Sequence, residues 1–531
     1  MPAVAGFAVF TKTHQKPQKQ AFQVSPFYQP ILRERKREIE QRLHSSKALT
    51  DLGDPELSAS NIHYEISRKA TGLSCGGVGV VHQMVNKLGL AQAIDERLRL
   101  LAIHKPYYES DHVLSVAYNI LAGGNRLEDL ELRRQDVGYM NSLGARRLPD
   151  PTTVGDFTRR FSQDDVLTLQ EAINVARQRV WQHRRSVESG FLEKALIDVD
   201  GTICGTFGEC KQGMSMSYKG VWGYHVLLVT LANTREVLYC VNRPGNVASN
   251  EGNAAWLDRA IELVRPHSAE IILRGDTDFS NCPHLDRWHE QAVNFIFGMD
   301  AHAKVVAAAE ALPESAWERL ERPLKYVVAT QARQKPENIK EQVVIAKGYT
   351  NMKLRGECVA EFNYQPVKCG RAYRMIVVRK NISVTKGEEA MIDEVRYFFY
   401  ITNMADQPKE EMVRLANGRG DQENIIEQAK NGVRAMNMPV NDLVSNWAYM
   451  SMALLAWNLK AWYALIMPDK EAGKEMVGME MRRFLQQYVM LPAQIVRAGR
   501  RVIFRIITYN DSVGGLLKMW TKLRRWRPQW V

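Results

Sequence analysis

Hydrophobic and polar residues alternate over five short segments in the middle of the chain, which predicts five β-strands. These segments cover residues 195–202, 224–231, 237–241, 270–276 and 293–297. A loop of turn length joins the second segment to the third. Helical spacing of apolar residues predicts one helix over about 252–264 and a short one around 285–290. The predicted order is therefore three antiparallel strands, then helix, strand, helix and strand.

This order is that of an α/β fold with an RNase H-like core, to which we assign residues 186–301. Residues 302–403 then interrupt the core, and their β-forming residues predict a strand-rich insertion. Its predicted strands lie at 327–328, 342–345, 373–378 and 397–401. A helical segment at 404–440 completes the core, and a basic helical region at 441–531 follows. The apolar run at 443–467 contains Asn446, Asn458 and Lys460, which predicts a buried helix rather than a membrane span.

Short helices separated by glycines are predicted before the strands, over residues 66–185. One covers 113–121 and ends at Gly123-Gly124, and another starts after Pro149 with Thr153 as its expected N-cap. Such helices fit a helix-turn-helix DNA-binding domain, and they fit any helical core equally well. Residues 1–65 are polar and basic, which predicts a flexible leader followed by a short charged helix.

Positive charge is concentrated at the two ends of the chain, whose formal net charge is +12. Residues 481–531 contain eleven Lys and Arg against one acid, and residues 1–50 contain nine against three. Basic flanks around a slightly acidic middle favour a polyanionic partner. In the C-terminal flank Arg497, Arg501 and Arg505 recur at every fourth position. This spacing predicts one helical stripe of cations that contacts DNA.

The seven cysteines include no CxxC pair. This argues against a disulfide framework or a zinc ribbon and favours reduced thiols in the cytoplasm. The first residues lack the charged-then-apolar pattern of a signal peptide, and we expect no membrane association.

Two pairs of aspartates carry the candidate chemistry. Asp198 and Asp200 are two residues apart in the first strand and therefore share a face, and Asp276 and Asp278 close the fourth strand in the same way. Because neighbouring strands lie about 4.8 Å apart, carboxylates on both can share a metal. Oxygen ligands suit Mg²⁺, and two such ions would activate a nucleophile and stabilise the leaving oxygen in phosphodiester chemistry.

A third acid lies between two cations further along the chain. Arg419 and Glu423 are four residues apart and Lys430 follows seven residues later, so all three fall on one stripe of a single helix. A metal-binding carboxylate flanked by phosphate-binding cations suits chemistry on DNA. A surface helix with ordinary i,i+4 charge pairs fits the same spacing.

The chain resembles the DDE transposases of bacterial insertion sequences, in particular the group with a Y-x2-R-x3-E-x6-K signature around the third acid. Arg419, Glu423 and Lys430 meet that spacing, whereas the tyrosine position falls on Ala416. This departure removes any aromatic contact to DNA from that position.

The first two acids of the family match Asp200, in Asp200-Gly-Thr202, and Asp276, which follows an apolar strand. The family's β-rich insertion between the second and third acids corresponds to residues 302–403. Segments 124–129, 152–157 and 491–497 are also similar, so the resemblance covers about residues 70–505.

The resemblance implies a transposase that nicks the ends of its element and directs the freed 3′-hydroxyls at target DNA. It implies that Asp200, Asp276 and Glu423 are catalytic ligands of two Mg²⁺ ions, for which Mn²⁺ could substitute. Arg419 and Lys430 would hold phosphates near them. The expected partners are the terminal inverted repeats, target DNA and a second copy in a synaptic homodimer. We expect it in the cytoplasm, associated with the nucleoid.

Two alternatives stay open at this point. The segment Asp198-Val-Asp-Gly-Thr202 also resembles haloacid-dehalogenase-like phosphatases, with Asp198 as nucleophile and Asp200 as general acid. The strands that follow do not alternate with helices as that doubly wound fold requires. A catalytically inactive, DNA-binding transposase remnant would keep the same motifs. His225 in the second strand could approach the active site, although a packed strand histidine explains it as well.

Overall fold

The computed structural model describes residues 25–48, 59, 61–66, 70–206, 208–322, 339–387, 389–390 and 393–530. Most of the predicted leader lies outside these residues, and the charged helix that was expected after it is the first element. Helices and one short strand make up the part before residue 190: α1 (Tyr28–Ala48), β1 (Gly72–Leu73), α2 (Val78–Leu88), α3 (Leu90–Arg97), α4 (Glu109–Leu121), α5 (Leu130–Gln135), α6 (Val137–Leu143), α7 (Pro151–Thr158) and α8 (Gln163–Val187).

The helix predicted over 113–121 is α4, and it ends before the Gly123-Gly124 pair as expected. Almost every residue of α4 is buried, so this helix packs inside the protein and presents no face to a DNA groove. Asp150 rather than Thr153 is the N-cap of α7, because its carboxylate accepts bonds from the backbone N–H and the hydroxyl of Thr153. The helix-turn-helix interpretation of this region stays a prediction.

The five predicted strands and two predicted helices of the core are all present. They are β2 (Lys194–Gly205), β4 (Trp222–Leu231), β5 (Glu236–Val241), α9 (Asn253–Val264), β6 (Glu270–Gly275), α10 (Leu285–Glu290) and β7 (Asn294–Met299), with the two-residue β3 (Ser215–Met216) between the first two strands. Strand β4 pairs antiparallel with β2 and β5, and β2 pairs parallel with β6, which pairs parallel with β7. The carboxyl ends of β2 and β6 therefore lie at the same edge of the sheet.

The insertion continues this sheet instead of forming a separate one, because β12 pairs antiparallel with β7. Two of its predicted strands are confirmed, the pair 327–328 lies outside the described residues, and 342–345 is helical. A further long strand, β9, was not predicted. The elements are α11 (Ala303–Glu310), β8 (Glu318–Arg319), α12 (Ile339–Ala346), β9 (Thr350–Tyr364), β10 (Tyr373–Lys386), β11 (Glu389–Ala390) and β12 (Glu394–Thr402).

Helices then return, followed by a β-hairpin near the end of the chain. The elements are α13 (Lys409–Asn417), α14 (Gly420–Glu427), α15 (Leu443–Ile466), α16 (Lys470–Gly478), α17 (Met481–Phe484), β13 (Ala493–Ala498), β14 (Arg501–Ile506) and α18 (Val513–Arg525). A π-helix over Gln428–Gly432 continues α14 directly.

Helix α15 is the centre of the molecule, since its residues from Ser445 onward are all buried. It packs against α4 and α8 of the N-terminal helices, against β5 of the sheet and against α16. Its polar residues are satisfied: Asn458 exchanges two hydrogen bonds with the backbone of Val237, and Lys460 donates to the carbonyl of Val477. In the described residues no helix is both long and apolar enough to cross a membrane. The prediction of a buried helix over 443–467 is confirmed by the burial of α15.

Candidate active site

The first two candidate acids meet where β6 ends beside β2. The last paired residues of the two strands are Asp198 and Arg274, so the edge of β2 beyond Asp198, which includes Asp200, does not pair with β6. Strand β6 stops at Gly275, and Asp276 caps a short 3-10 turn by accepting a bond from the backbone N–H of Asp278 at 3.1 Å. Asp276 and Asp278 thus lie just beyond the strand, and the prediction that they alternate along it was wrong.

The guanidinium of Arg419 lies between the two acids. Its Nη1 is 2.9 Å from Oδ2 of Asp200 and its Nη2 is 3.8 Å from Oδ2 of Asp276. Arg419 directly precedes α14, so this helix enters the site with its cation aimed at both carboxylates. The structure therefore brings together three of the residues that the sequence assigned to one site.

Both carboxyl groups are shifted toward the protonated form. Burial raises the pKa of Asp200 to about 6, although Arg419 opposes the shift, and the neighbouring charge of Asp276 adds to it. Burial likewise raises the pKa of Asp276, with Arg419 again opposing and Asp278 adding. Two partly desolvated carboxylates whose charged forms are disfavoured make a site that a further cation would stabilise.

Two cavities adjoin at Asp276. One, of about 410 Å³, is lined by Asp276, Arg419 and Glu423 together with aromatic residues of β12, and we call it the Glu423 cavity. The other, of about 370 Å³, is lined by Asp200, Asp276, Asp278 and Lys430, and we call it the Asp200 cavity. All five residues predicted for the catalytic site therefore line one of two adjoining spaces.

The predicted single helical stripe needs a correction. Arg419 and Glu423 are spaced as in an α-helix, but α14 ends at Glu427 and Lys430 lies in the π-helix that follows. The wider turn changes the direction of the side chain, and Lys430 donates to the carbonyl of Ile203 on β2 at 3.1 Å. Lys430 is thereby placed in the Asp200 cavity, whereas Glu423 is an exposed residue in the other.

The donor set suits a hard cation, since carboxylate oxygens line the junction of the cavities. Within the described ranges no group of three or more His, Cys, Asp or Glu side chains is arranged to hold a metal ion. Asp200 and Asp276 supply two converging carboxylates, and the exposed side chain of Glu423 would have to turn inward to supply the third.

Asp198 has a structural partner that the sequence did not reveal. Its two carboxylate oxygens accept from Nε and Nη2 of Arg274 at 2.6 and 2.8 Å, and Arg274 also donates to the carbonyl of Leu415 beside α14. Asp198 is 1% exposed. A carboxylate buried under a bidentate arginine cannot attack a substrate, so the phosphatase alternative is not favoured.

The three arginines of the C-terminal flank lie on a hairpin and not on a helix, which corrects that prediction. Arg497 lies next to the last residue of β13, while Arg501 and Arg505 lie on β14, with Gly499 in the left-handed region (φ 59°) at the turn. Opposed residues share a face, so Arg501 and Arg505 point to one side of the hairpin and Arg497 to the other. All three are exposed, and none is paired with a carboxylate of the described residues.

Comparison with known proteins identifies the family. Residues 65–528 match the family model described as transposase DDE domain group 1. The chain belongs to this family. The predicted resemblance to DDE transposases is therefore confirmed. Divalent metal ions are the general cofactors of such transposases.

Among solved structures, the chain is similar to the piggyBac transposase in a synaptic complex with hairpin DNA. Sequence identity is 10%, the match covers 79% of this chain and 85% of that one, and the TM-score is 0.32. No curated protein matches the chain.

Proposed function

We propose that this transposase cuts DNA at the ends of a bacterial insertion sequence in a metal-dependent reaction and joins the freed 3′-hydroxyls to target DNA. The observation that supports this most directly is the convergence of Asp200 and Asp276 on Arg419 at the carboxyl ends of two parallel strands. We take β2 to β7 as an RNase H-like core, which the element order supports.

Asp200, Asp276 and Glu423 are the proposed ligands of two Mg²⁺ or Mn²⁺ ions. Bound there, the ions supply activation of the attacking hydroxyl and stabilisation of the leaving oxygen. Arg419 presents a planar fork of donors at the junction of the cavities, where it suits a phosphate as well as it suits Asp200. Lys430 supplies a point charge within the Asp200 cavity.

The proposed partners are DNA and a second copy of the chain. Terminal inverted repeats and target DNA would contact the exposed Arg497, Arg501 and Arg505, and two copies would pair in the synaptic complex. The proposed location is the cytoplasm, at the nucleoid.

The test is strand cleavage of the element's end DNA by the full chain with Mg²⁺. Alanine at Asp200, Asp276 or Glu423 should abolish cleavage and leave end binding largely intact. Glu427→Ala is the matched control, because Glu427 is exposed one turn further along α14 and should not be needed. Undiminished cleavage by Glu423→Ala would refute the assignment, and a wild-type chain that binds ends without cutting them would be an inactive remnant.

A further inference from the structure

A histidine reaches the Asp200 cavity from the opposite face of the sheet. His225 on β4 stands opposite Ile203 on β2, so it shares the face of Ile203 and Gly201, whereas Asp200 points to the other face. His225 is 2% exposed, yet its side chain lines the same cavity as Asp200 and Lys430. The cavity lies along the open edge of β2, where groups from both faces can reach it.

The absence of a side chain at Gly201 leaves the space that the imidazole of His225 occupies. A Cβ on Gly201 would lie 2.7 Å from Nε2 of His225, which is closer than any real contact. The ring therefore occupies the space of the side chain that Gly201 lacks. This explains a glycine between Asp200 and Thr202 in the middle of a strand, where glycine otherwise weakens the structure.

The orientation of the ring fixes which nitrogen carries the proton. Nδ1 is 2.9 Å from the carbonyl of Val247, and a carbonyl only accepts, so Nδ1 must donate. The loop that holds Val247 is anchored by the buried Arg243, which donates to the carbonyls of Ser249 and Glu251. Burial lowers the pKa of His225, which leaves the ring neutral and Nε2 a bare acceptor.

An unprotonated Nε2 in this cavity can only accept a hydrogen bond, so its partner must be a hydrogen-bond donor. The DNA backbone consists of acceptors, apart from the hydroxyl at a 3′ end, and water is the other O–H donor of a phosphodiester reaction. We propose that Nε2 of His225 accepts a hydrogen bond from the attacking hydroxyl group and so positions that nucleophile beside Asp200. The proposal rests on the function proposed above and adds a residue to its site.

Two substitutions separate the two nitrogens of the ring. In His225→Asn the amide nitrogen replaces Nδ1 and keeps the bond to Val247, but no atom remains at Nε2. In His225→Gln the longer side chain places an oxygen near the position of Nε2. We expect His225→Asn to slow the reaction at least about tenfold, as the loss of one hydrogen bond to a reacting group does, and His225→Gln to recover most of the rate.

The rate is measured with uncut ends, which need water as nucleophile, and with pre-cut ends, which use their own 3′-hydroxyl. End affinity and melting temperature are measured on the same proteins and should stay unchanged. If His225→Asn reacts more slowly with uncut ends, with pre-cut ends or with both, the proposal is supported. The substrate that is affected identifies the nucleophile that His225 contacts. Wild-type rates for His225→Asn in both arms would overturn it, and so would equal losses in both variants accompanied by a lower melting temperature.

Gly201→Ala provides a second route to the same conclusion. Its Cβ displaces Nε2, so it should slow the wild-type chain and have a much smaller additional effect on His225→Asn. Additive losses would contradict the proposal. A wild-type chain that reacts in neither arm would refute the proposed function itself.

Discussion

Arg419 contacts Asp200 across 219 positions of sequence, and this contact connects the third acid's helix to the first acid's strand. The sequence motif predicts these residues as members of one site because strand alternation and helical spacing are local. It could not give their pairing, which depends on how α14 enters the sheet. The Asp198–Arg274 pair was missed for the same reason, since the alternation of β2 predicts the face of Asp198 but not its partner on β6.

Substitution of Lys430 tests whether this residue contributes to DNA cleavage or to the stability of the fold. We expect Lys430→Ala to slow cleavage roughly 10- to 100-fold, the effect of losing one charge-assisted hydrogen bond, with little change in melting temperature. Lys211→Ala is the control, because Lys211 also donates to one backbone carbonyl, that of Met438, and does not line the Asp200 cavity. A large loss of stability with an unchanged rate would make Lys430 a structural residue.

The burial of Lys460 leads us to predict that the free energy of unfolding depends on pH. This lysine is fully buried in α15, and burial followed by the charge of Arg235 lowers its pKa to about 7. The unfolded chain therefore binds more protons than the folded one above pH 7, so stability should rise with pH until the unfolded lysine also titrates. Between pH 7 and 9 the wild type should gain about 2 kcal/mol relative to Lys460→Met. Denaturant unfolding at both pH values measures this, and parallel pH profiles would contradict it.

The C-terminal hairpin shows why one kind of element was mispredicted. A spacing of four residues places side chains on one face of a helix, but it is also an even number and fits one face of a strand. The β-branched Val496, Val502 and Ile503 and the glycine at 499 favour strands and a tight turn, and these signals decided the structure. The reverse error occurred in α12, where residues 342–345 were predicted as a strand and form part of a helix. A short apolar run such as 343–345 does not distinguish a strand from a helix.

The hairpin carries a prediction of its own. Each phosphate neutralised on duplex DNA contributes about −0.9 to the slope of log K against log[salt]. Replacing Arg497, Arg501 and Arg505 together by Ala should therefore weaken binding to all sequences alike and make the slope shallower by between about 2 and 3.

The matched control replaces three exposed arginines that already pair with carboxylates, and whose loss should leave the salt slope unchanged: Arg134, Arg159 and Arg396. An unchanged slope in the hairpin variant would remove the hairpin from the DNA-binding surface.

At the scale of the whole molecule, the regions distinguished in the sequence share one main core. This hydrophobic cluster runs from Leu73 in β1 through the sheet to Leu523 in α18, and a smaller second cluster joins α13 to strands β6, β7, β9 and β10. The boundaries drawn at residues 65, 185 and 440 stay predictions. Periodicity indicates the type of each element, whereas the packing of α15 between the N-terminal helices and β5 depends on contacts that lie far apart in the sequence.

The buried Glu236 connects the N-terminal helices, the sheet and α15 through hydrogen bonds. This carboxylate on β5 is 0% exposed and accepts from Arg177 and Trp181 of α8 and from Trp462 of α15, at 2.7 to 3.0 Å. Glu236→Ala would leave the buried guanidinium of Arg177 without a counterion. We expect it to destabilise the chain by about 3–5 kcal/mol, the usual consequence of breaking a buried pair.

Replacing both partners, with Glu236→Leu and Arg177→Met, should recover much of that loss because no buried charge remains. Thermal unfolding followed by tryptophan fluorescence and by circular dichroism should give one coincident transition in the wild type, and a lower one in Glu236→Ala. If the two probes separated in Glu236→Ala, with the sheet melting after the helices, the N-terminal helices would be an independent domain. A single lowered transition means that α8, α15 and the sheet carrying Asp200 unfold together, so the geometry of the candidate site depends on a carboxylate that lies outside both cavities.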